Sequence, residues 1–351
     1  MNKKILSAAI AAVLALSSAS SNASTVFSND TANLDVIGRM KINLNNNDAN
    51  ADRRLEGIAR LGLDGKTKVN DYLSVYGQIL YEIQAQEPTN KDDSRIDVYY
   101  GYVGFDFNDF GKLQFGHFED AYYKVVSVGD VFVDWGTMGN TYNGVSDNDT
   151  GGRKDGVALY EVNYNGLIFT ASYQFRDTSK HVNYGTGATL GYEFEVGDKA
   201  IGFMGGYNHI EGYDPHMEGN ILNGANKNET AISIYYGEYG TPGFYAAAIY
   251  NWDKLQSTYK VNGVEAVLGY TTPGGDWTFG AAYGYLHNVD RGLTRNALGS
   301  DDRVFQSAWT GEVIYNVTSN FQIYGEAERH NSSVVHQEAE NALSLGLIYN
   351  F

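Results

Sequence analysis

The stretch Leu73-Ser74-Val75-Tyr76-Gly77-Gln78-Ile79-Leu80-Tyr81-Glu82-Ile83-Gln84 carries the pattern that decides the fold. Leu73, Val75, Gly77, Ile79, Tyr81 and Ile83 share one parity, and Ser74, Tyr76, Gln78, Glu82 and Gln84 fall on the other. Successive side chains of an extended chain point to opposite faces, so this is a strand with two unlike environments. It is also long. Strands of soluble proteins average about 5–6 residues, whereas a tilted strand crossing a bilayer needs about 9–11.

The same alternation recurs on either side. Ala188, Leu190, Tyr192, Phe194 and Val196 alternate with Thr189, Gly191, Glu193 and Glu195, and Leu343, Leu345, Leu347, Tyr349 and Phe351 alternate with Ser344, Gly346 and Asn350. Sixteen such runs are read, near 34–44, 54–65, 72–85, 95–107, 112–118, 155–164, 167–176, 184–196, 199–212, 229–239, 242–253, 258–271, 276–288, 304–316, 320–331 and 339–351. Every second connection is short and rich in Gly, Asn, Asp or Pro, as at Asn108–Gly111, Asn165–Gly166 and Gly197–Asp198, which suits tight hairpin turns. The others run longer, apart from 254–257. Short turns at one rim and long loops at the other, on an even number of strands, predict an antiparallel transmembrane β-barrel. Closure follows from the solvent: in hydrocarbon an unpaired sheet edge costs several kcal/mol per backbone group.

Composition agrees. Of 351 residues, 41 are Gly, 28 Tyr and only 4 Pro, and the net charge is −17. Mean hydropathy is −0.36, as expected when one face of each strand cancels the other. The acidic balance argues against nucleic acid, which needs a basic patch. No cysteine is present, which excludes thiolate metal sites and thiol catalysis. Lys3 and Lys4, the apolar run Ile5–Leu16 and the small residues up to Ala23 read as a cleaved secretory leader, 1–23, ahead of a single barrel domain, 24–351.

Sixteen strands enclose more space than side chains fill, leaving an aqueous channel. On the first run Asp35, Arg39, Lys41 and Asn43 share the lumen parity; on the second, Glu56, Arg60 and Asp64 do. On the sixth, Arg153 shares it with Asp155, Glu161 and Asn163. The connection 119–154 is much the longest, and its middle is apolar: Val125, Val126, Val128, Val131, Phe132, Val133 and Trp135. Long loops without structure of their own are usually functional. This one is expected to fold inward against the wall and narrow the channel.

Other chemistry is weak. Glu326, Glu328 and His330 share a parity, as polar residues on any lumen strand do, and no catalytic residue is assigned. Asp147–Gly152 looks like a calcium loop, but its twelfth position is Ala158 rather than Glu, so neither metal nor cofactor is assigned.

The run Ala59-Arg60-Leu61-Gly62-Leu63-Asp64-Gly65-Lys66-Thr67 with Tyr76-Gly77-Gln78, the segment Gly152-Arg153-Lys154-Asp155-Gly156-Val157-Ala158-Leu159-Tyr160, and the terminal Tyr349-Asn350-Phe351 together resemble the trimeric general diffusion porins of Gram-negative outer membranes. The resemblance implies a homotrimer in the outer membrane, in contact with lipid and lipopolysaccharide, passing small hydrophilic solutes and not acting as an enzyme. It implies a constriction between basic wall residues, Arg39, Arg60 and Arg153, and loop acids, Asp130 and Asp134. His117 stands where the family has a further wall arginine, although simple parity puts it with Leu113 and Phe115 on the lipid side. The family's Pro-Glu-Phe-Gly-Gly-Asp loop motif is replaced by Val133-Asp134-Trp135-Gly136-Thr137. Phe351 is implied as the aromatic read by the barrel-assembly machinery. Net acidity and His117 together predict a mild cation preference. Two other functions stay open: a substrate-selective channel, for oligosaccharides for example, and an adhesin using loops 213–228 and 289–303.

Overall fold

The computed structural model describes residues 23–47, 53–85, 96–136, 139–140, 142, 152–212, 226–255, 259–289, 303–331 and 340–351. The leader up to residue 22, residues 147–151 of the calcium-like segment, and most of loops 213–228 and 289–303 lie outside the described residues.

A short strand, β1 (Ser24–Ser28), precedes the ring. The first half of the ring is β2 (Ala32–Asn47), β3 (Arg53–Asn70), β4 (Leu73–Gln84), β5 (Ile96–Asp106), β6 (Lys112–Glu119), β7 (Arg153–Tyr164), β8 (Leu167–Gln174) and β9 (Val182–Val196). The second half is β10 (Lys199–Gly212), β11 (Lys227–Tyr236), β12 (Gly243–Leu255), β13 (Tyr259–Thr271), β14 (Trp277–Asn288), β15 (Val304–Asn316), β16 (Phe321–His330) and β17 (Glu340–Asn350). From β2 onward each strand pairs antiparallel with its neighbours in sequence, and β17 returns to pair with β2, so the sixteen strands close. At the seam Asn350 lies opposite Arg39, Gly38 N–H donates to Phe351 O at 2.7 Å and Phe351 N–H to Gly38 O at 3.0 Å. Below that point β1 takes over the free edge of β2, Ser24 opposite Val36 and Ser28 opposite Asn33. The alternation count omits β1, whose five residues are too few to register as a run.

Burial is reversed relative to a soluble protein. On β17, Leu345 is 52 % exposed while its neighbour Ser344 is fully buried. The same inversion puts Ile42, Leu61, Ile79, Phe203, Leu268 and Val313 outside and Asn43, Gln78, Thr189, Glu265, Thr278 and Glu312 inside. Apolar side chains facing out and polar ones facing in suit a barrel whose outer solvent is hydrocarbon. Tight turns close the short rim: Asn165 and Gly166 both have positive φ, 52° and 84°, the twist that matches a two-residue hairpin to its strands.

Two of the ring's bulges displace side chains near the channel from simple parity. Between β4 and β5 the register shifts at Leu80–Tyr81, and the extra residue, Tyr99, turns inward beside Tyr100. Between β6 and β7 it shifts after Gly116, where Gly116 and Gly156 adopt φ of 148° and 63°. Here the structure corrects the parity reading of Asp155, which leaves the lumen face of Glu161. His117 keeps the outward face that simple parity gives it, across from Gly101, its Nδ1 2.6 Å from Asp155 Oδ1, away from the wall position that the resemblance implied.

Candidate functional site

The loop between β6 and β7 begins at a staple. Asp120 accepts the N–H of Tyr122 at 3.0 Å and pairs with Lys154 on the returning strand. The one-turn helix α1 (Tyr123–Val126) follows. Hydroxyls of the β8–β9 wall hold the loop's entry: Ala121 N–H donates to Ser172 Oγ at 3.0 Å, and Thr189 Oγ1 donates to Ala121 O at 2.7 Å. The apolar face of the loop then packs on the wall. Val125, Val126, Val128 and Val131 join Met204, Ala231, Tyr245, Ala247, Val267 and Ala282, drawn from β10 to β14, in one buried cluster. The hydrophobic effect thus seats the loop inside the barrel, since these valines would otherwise face lumen water.

At the far side the loop's backbone meets two wall carboxylates that face each other on β15 and β16. Val133 N–H donates to Glu312 at 2.9 Å; Asp134 and Trp135 N–H donate to Glu326 at 2.9 and 2.7 Å. On the way back Gly139 N–H and the Asn140 amide both donate to Glu265 at 2.8 Å. The loop therefore lies across the lumen over β10–β16, and the open channel is left to β2–β7.

The charged residues gather along that opening. Asp134 reaches Lys41 Nζ at 2.5 Å and accepts Tyr324 O–H at 2.7 Å. Burial works against its charge, but Lys41 and hydrogen bonds from Lys41, Ser344 and Tyr324 outweigh burial and hold the carboxyl below its ordinary value. Asp130 is raised, chiefly by burial, with the Tyr123 O–H bond at 2.9 Å and the charge of Arg153 offsetting part of that. Opposite them, Arg39 pairs in register with Arg60 and donates to Asn350 at 2.9 Å. Arg60 donates to Glu82 at 2.7 Å. The guanidinium of Arg60 lies 3.6 Å from the centre of the Tyr99 ring and that of Arg153 lies 3.7 Å from it. Two guanidiniums cannot occupy one face at that range, so the ring is sandwiched between them. Each such contact attracts through the ring quadrupole, and the phenol spaces two like charges.

The structure thus brings Arg60 and Arg153 together on one ring, sets Arg39 beside Arg60, and turns Asp130 toward Arg153 and Asp134 toward Lys41. His117 does not join them. Lys41, Tyr99, Glu312 and Glu326 are the residues the sequence reading left out of the site. Lys41 shared a parity with Arg39 and could have been included; Tyr99 depends on a bulge that alternation does not reveal. Glu326 is taken up by loop N–H groups, while Glu328 pairs with His330 at 2.5 Å. Below the loop a cavity of about 340 Å³ opens among Tyr76, Gln78, Tyr100, Tyr102, Gln114 and Lys112.

A closed barrel, apolar outside and charged inside, with a loop laid across its lumen, defines a membrane channel. The family described as Gram-negative porin matches residues 8–334, and the chain belongs to that family of channels, which are not enzymes. It is similar to the "Outer membrane protein YedS" of Escherichia coli, 24 % identical with full coverage of both chains. It is also similar to the "Outer membrane porin protein LC" of Enterobacteria phage PA-2, 30 % identical over 57 % of this chain and 56 % of that one. Among solved structures, OmpF of Salmonella typhi in complex with daunomycin superposes with a TM-score of 0.76 at 18 % identity, covering 93 % of this chain and all of that one. OmpT of Vibrio cholerae, in its trimer form, gives 0.67 at 16 % identity, covering 92 % and 100 %. An anion-selective porin from Comamonas acidovorans gives 0.66 at 15 %, covering 91 % and 100 %. The protein is an outer-membrane protein.

Proposed function

We propose that the chain is a general diffusion pore for small hydrophilic solutes and ions, mildly cation-preferring, working as a homotrimer with one channel per barrel. The observation that carries this is the opposition of charges across the opening left by the loop: Asp130 and Asp134 on one side, Arg39, Lys41, Arg60 and Arg153 on the other. Opposed charges across a narrowing set up a transverse field that orders water and orients polar solutes, while an apolar solute must disrupt that order. The sign of the preference rests on the chain's net charge of −17 and on His117 standing where the family has a further wall arginine, since the fold itself is shared with a porin named as anion-selective. The test is the reversal potential of the purified protein in a planar bilayer under a salt gradient. Anion preference, or none, would overturn the cation reading, and a silent wall of inserted barrels would overturn the pore.

The trimer draws support from the outer surface. Strands β8–β15 carry outward aromatics such as Phe203, Tyr250, Trp252, Trp277, Phe279 and Trp309, the residues of a membrane-interface girdle. The sector β17–β2–β3–β4 presents mainly aliphatic ones, Leu345, Leu347, Met40, Ile42, Leu61 and Ile79, suited to packing against copies. Three equal closing steps in single-channel records would bear this out. Phe351, beside Gly38 at the seam, is assigned as the assembly signal, and loss of assembled protein in Phe351→Ala checks it.

A saccharide-selective channel has one observation in its favour, the cavity below the loop with its tyrosines and amides. Saturable block of conductance by an oligosaccharide, at concentrations where a salt of similar size has no effect, would favour it.

A further inference from the structure

One register row on the inner wall is bare in its middle. Tyr245 of β12 faces Gly269 of β13, Gly269 faces Gly280 of β14, Gly280 faces Glu312 of β15, and Glu312 faces Glu326 of β16. The two glycines put no side chain into the lumen, and they lie directly beside the carboxylates that hold the loop. Neighbouring strands are about 4.8 Å apart, so two bare positions side by side leave a slot about 10 Å wide between wall and loop. Left empty, it would be a second passage for water and ions that avoids the charged opening.

The slot is filled from a turn. Tyr239 belongs to the connection between β11 and β12, at the short-turn rim, and the glycines near it, Gly237 and Gly240, take φ of 73° and 83°. Glycine adopts that left-handed region without steric cost. The turn is tied to β10, Gly237 N–H donating to Ala200 O at 2.8 Å and Lys199 Nζ to Pro242 O at 2.5 Å. From this base the Tyr239 ring enters the barrel and covers both wall glycines. A Cβ on Gly269 would meet its Cδ2 at 2.7 Å, and a Cβ on Gly280 would collide with its Oη. The ring also meets the loop, its centroid 5.9 Å from that of Phe132, and stands edge-on to Tyr245 at 5.7 Å and 82°. Its O–H donates to Glu312 Oε1 at 2.8 Å, while Val133 N–H of the loop donates to the other oxygen at 2.9 Å. One residue from the opposite rim thus touches the loop tip, the carboxylate that holds it and the bare strip of wall.

We propose that Tyr239 is a positioning residue that sets the size limit of the channel: it closes the passage behind the loop and props the loop tip from the short-turn side. All flux then runs between the loop acids and the wall arginines. The inference rests on the pore reading and deepens it, because opposed charges sort solutes only where nothing bypasses them. The ring supplies the bulk that two glycines lack. The hydroxyl fixes where that bulk lies, since Glu312 holds it and the loop backbone together.

Wild type, Tyr239→Ala, Tyr239→Phe and Gly269→Val are compared by liposome swelling with sugars of graded size and by single-channel recording. Tyr239→Ala opens the strip and admits larger sugars. Its lost ring contacts and hydrogen bond raise about tenfold the share of open time spent at a higher conductance level. Tyr239→Phe keeps the ring over the glycines and with it the wild-type size limit. Gly269→Val alone expels the ring and behaves as Tyr239→Ala; in the Tyr239→Ala background the same valine refills the strip and brings the size limit back toward wild type. An unchanged size limit in Tyr239→Ala overturns the proposal, and so does an equal rise in Tyr239→Phe. A lower melting temperature with an unaltered pore in both Tyr239→Ala and Gly269→Val also overturns it, marking a residue that only packs. If Tyr239→Ala does not assemble, Tyr239→Leu, which keeps part of the bulk, is judged by the same criteria. A silent wild type removes the pore reading and this inference with it, whereas a conducting wild type with indifferent variants removes the inference alone.

Discussion

The inner wall of the barrel has two unlike halves. From β10 to β14 it carries a band of small and apolar groups, Met204, Ala231, Ala247, Val267 and Ala282 among them, which the loop covers. From β2 to β7 it is charged and open, with Arg39, Lys41, Arg60, Asp64, Lys66, Glu82 and Glu161 along it. The difference explains where the channel runs. The loop goes where its valines gain most by leaving water, and the pore is what remains. Selectivity is thus set on one half of the wall by a loop that is held by the other.

The comparison breaks first at the covered half. Val126→Asp puts an unpaired carboxylate into the fully buried cluster, a penalty of about 3–5 kcal/mol against the seated loop. The loop then lifts off, and single-channel conductance and the size limit in liposome swelling both rise. Glu326→Ala removes the acceptor of two loop N–H groups, at about 1–3 kcal/mol for each left unsatisfied. It should increase open-channel noise and flickering closures, with Glu326→Gln intermediate.

Acid should act on the two loop carboxyls in turn. Asp130, raised by burial above the ordinary aspartate value of 3.8, takes its proton first as pH falls. Its ionisation opposes the folded loop, so protonation there favours the loop's seating. Asp134 is held below 3.8, so its contribution to stability is present above the unfolded-state value and is lost only as pH falls through the lower folded-state one. Reversal potentials taken down a pH series should therefore lose cation preference in two stages, the upper one absent in Asp130→Asn. At the open half, Tyr99→Leu removes the ring between two guanidiniums and lowers stability by about 1–2 kcal/mol, read as a drop in melting temperature, while the loop stays seated and pore size holds. Smallest of all is Lys68→Ala, which breaks an exposed rim pair with Asp71 and is expected to leave both conductance and melting unchanged.

The fold was legible because a membrane barrel writes its topology in a period of two. Runs such as 72–85 and 199–212 match β4 and β10 within a residue or two at each end. The inward path of the loop was readable from valines that had no reason to be in solvent. What failed was local. Gly116, Gly156 and the residue pair Tyr99–Tyr100 each shift the alternation, so Asp155 could not be placed by parity and Tyr99 could not be found, while His117 lies on the side parity gave it and away from the wall position the resemblance implied. The partnership of Lys41 with Asp134 spans 93 positions and follows from where the loop crosses the lumen, which no spacing along the chain records.

The seam between β17 and β2 gives the molecule an unusual order of assembly. Each of the other fifteen junctions in the ring joins strands consecutive in sequence, so most of the sheet can form by local zipping. The last joins Arg39 to Asn350, 311 positions apart. Loop-closure entropy rises by about 0.6 kcal/mol for each doubling of length, so bringing these strands together costs about 4 kcal/mol more than closing a tight hairpin. A nearly complete sheet with two open edges is therefore the natural intermediate, and the rate at which it curls shut, more than the rate at which any hairpin forms, sets how quickly the barrel is finished.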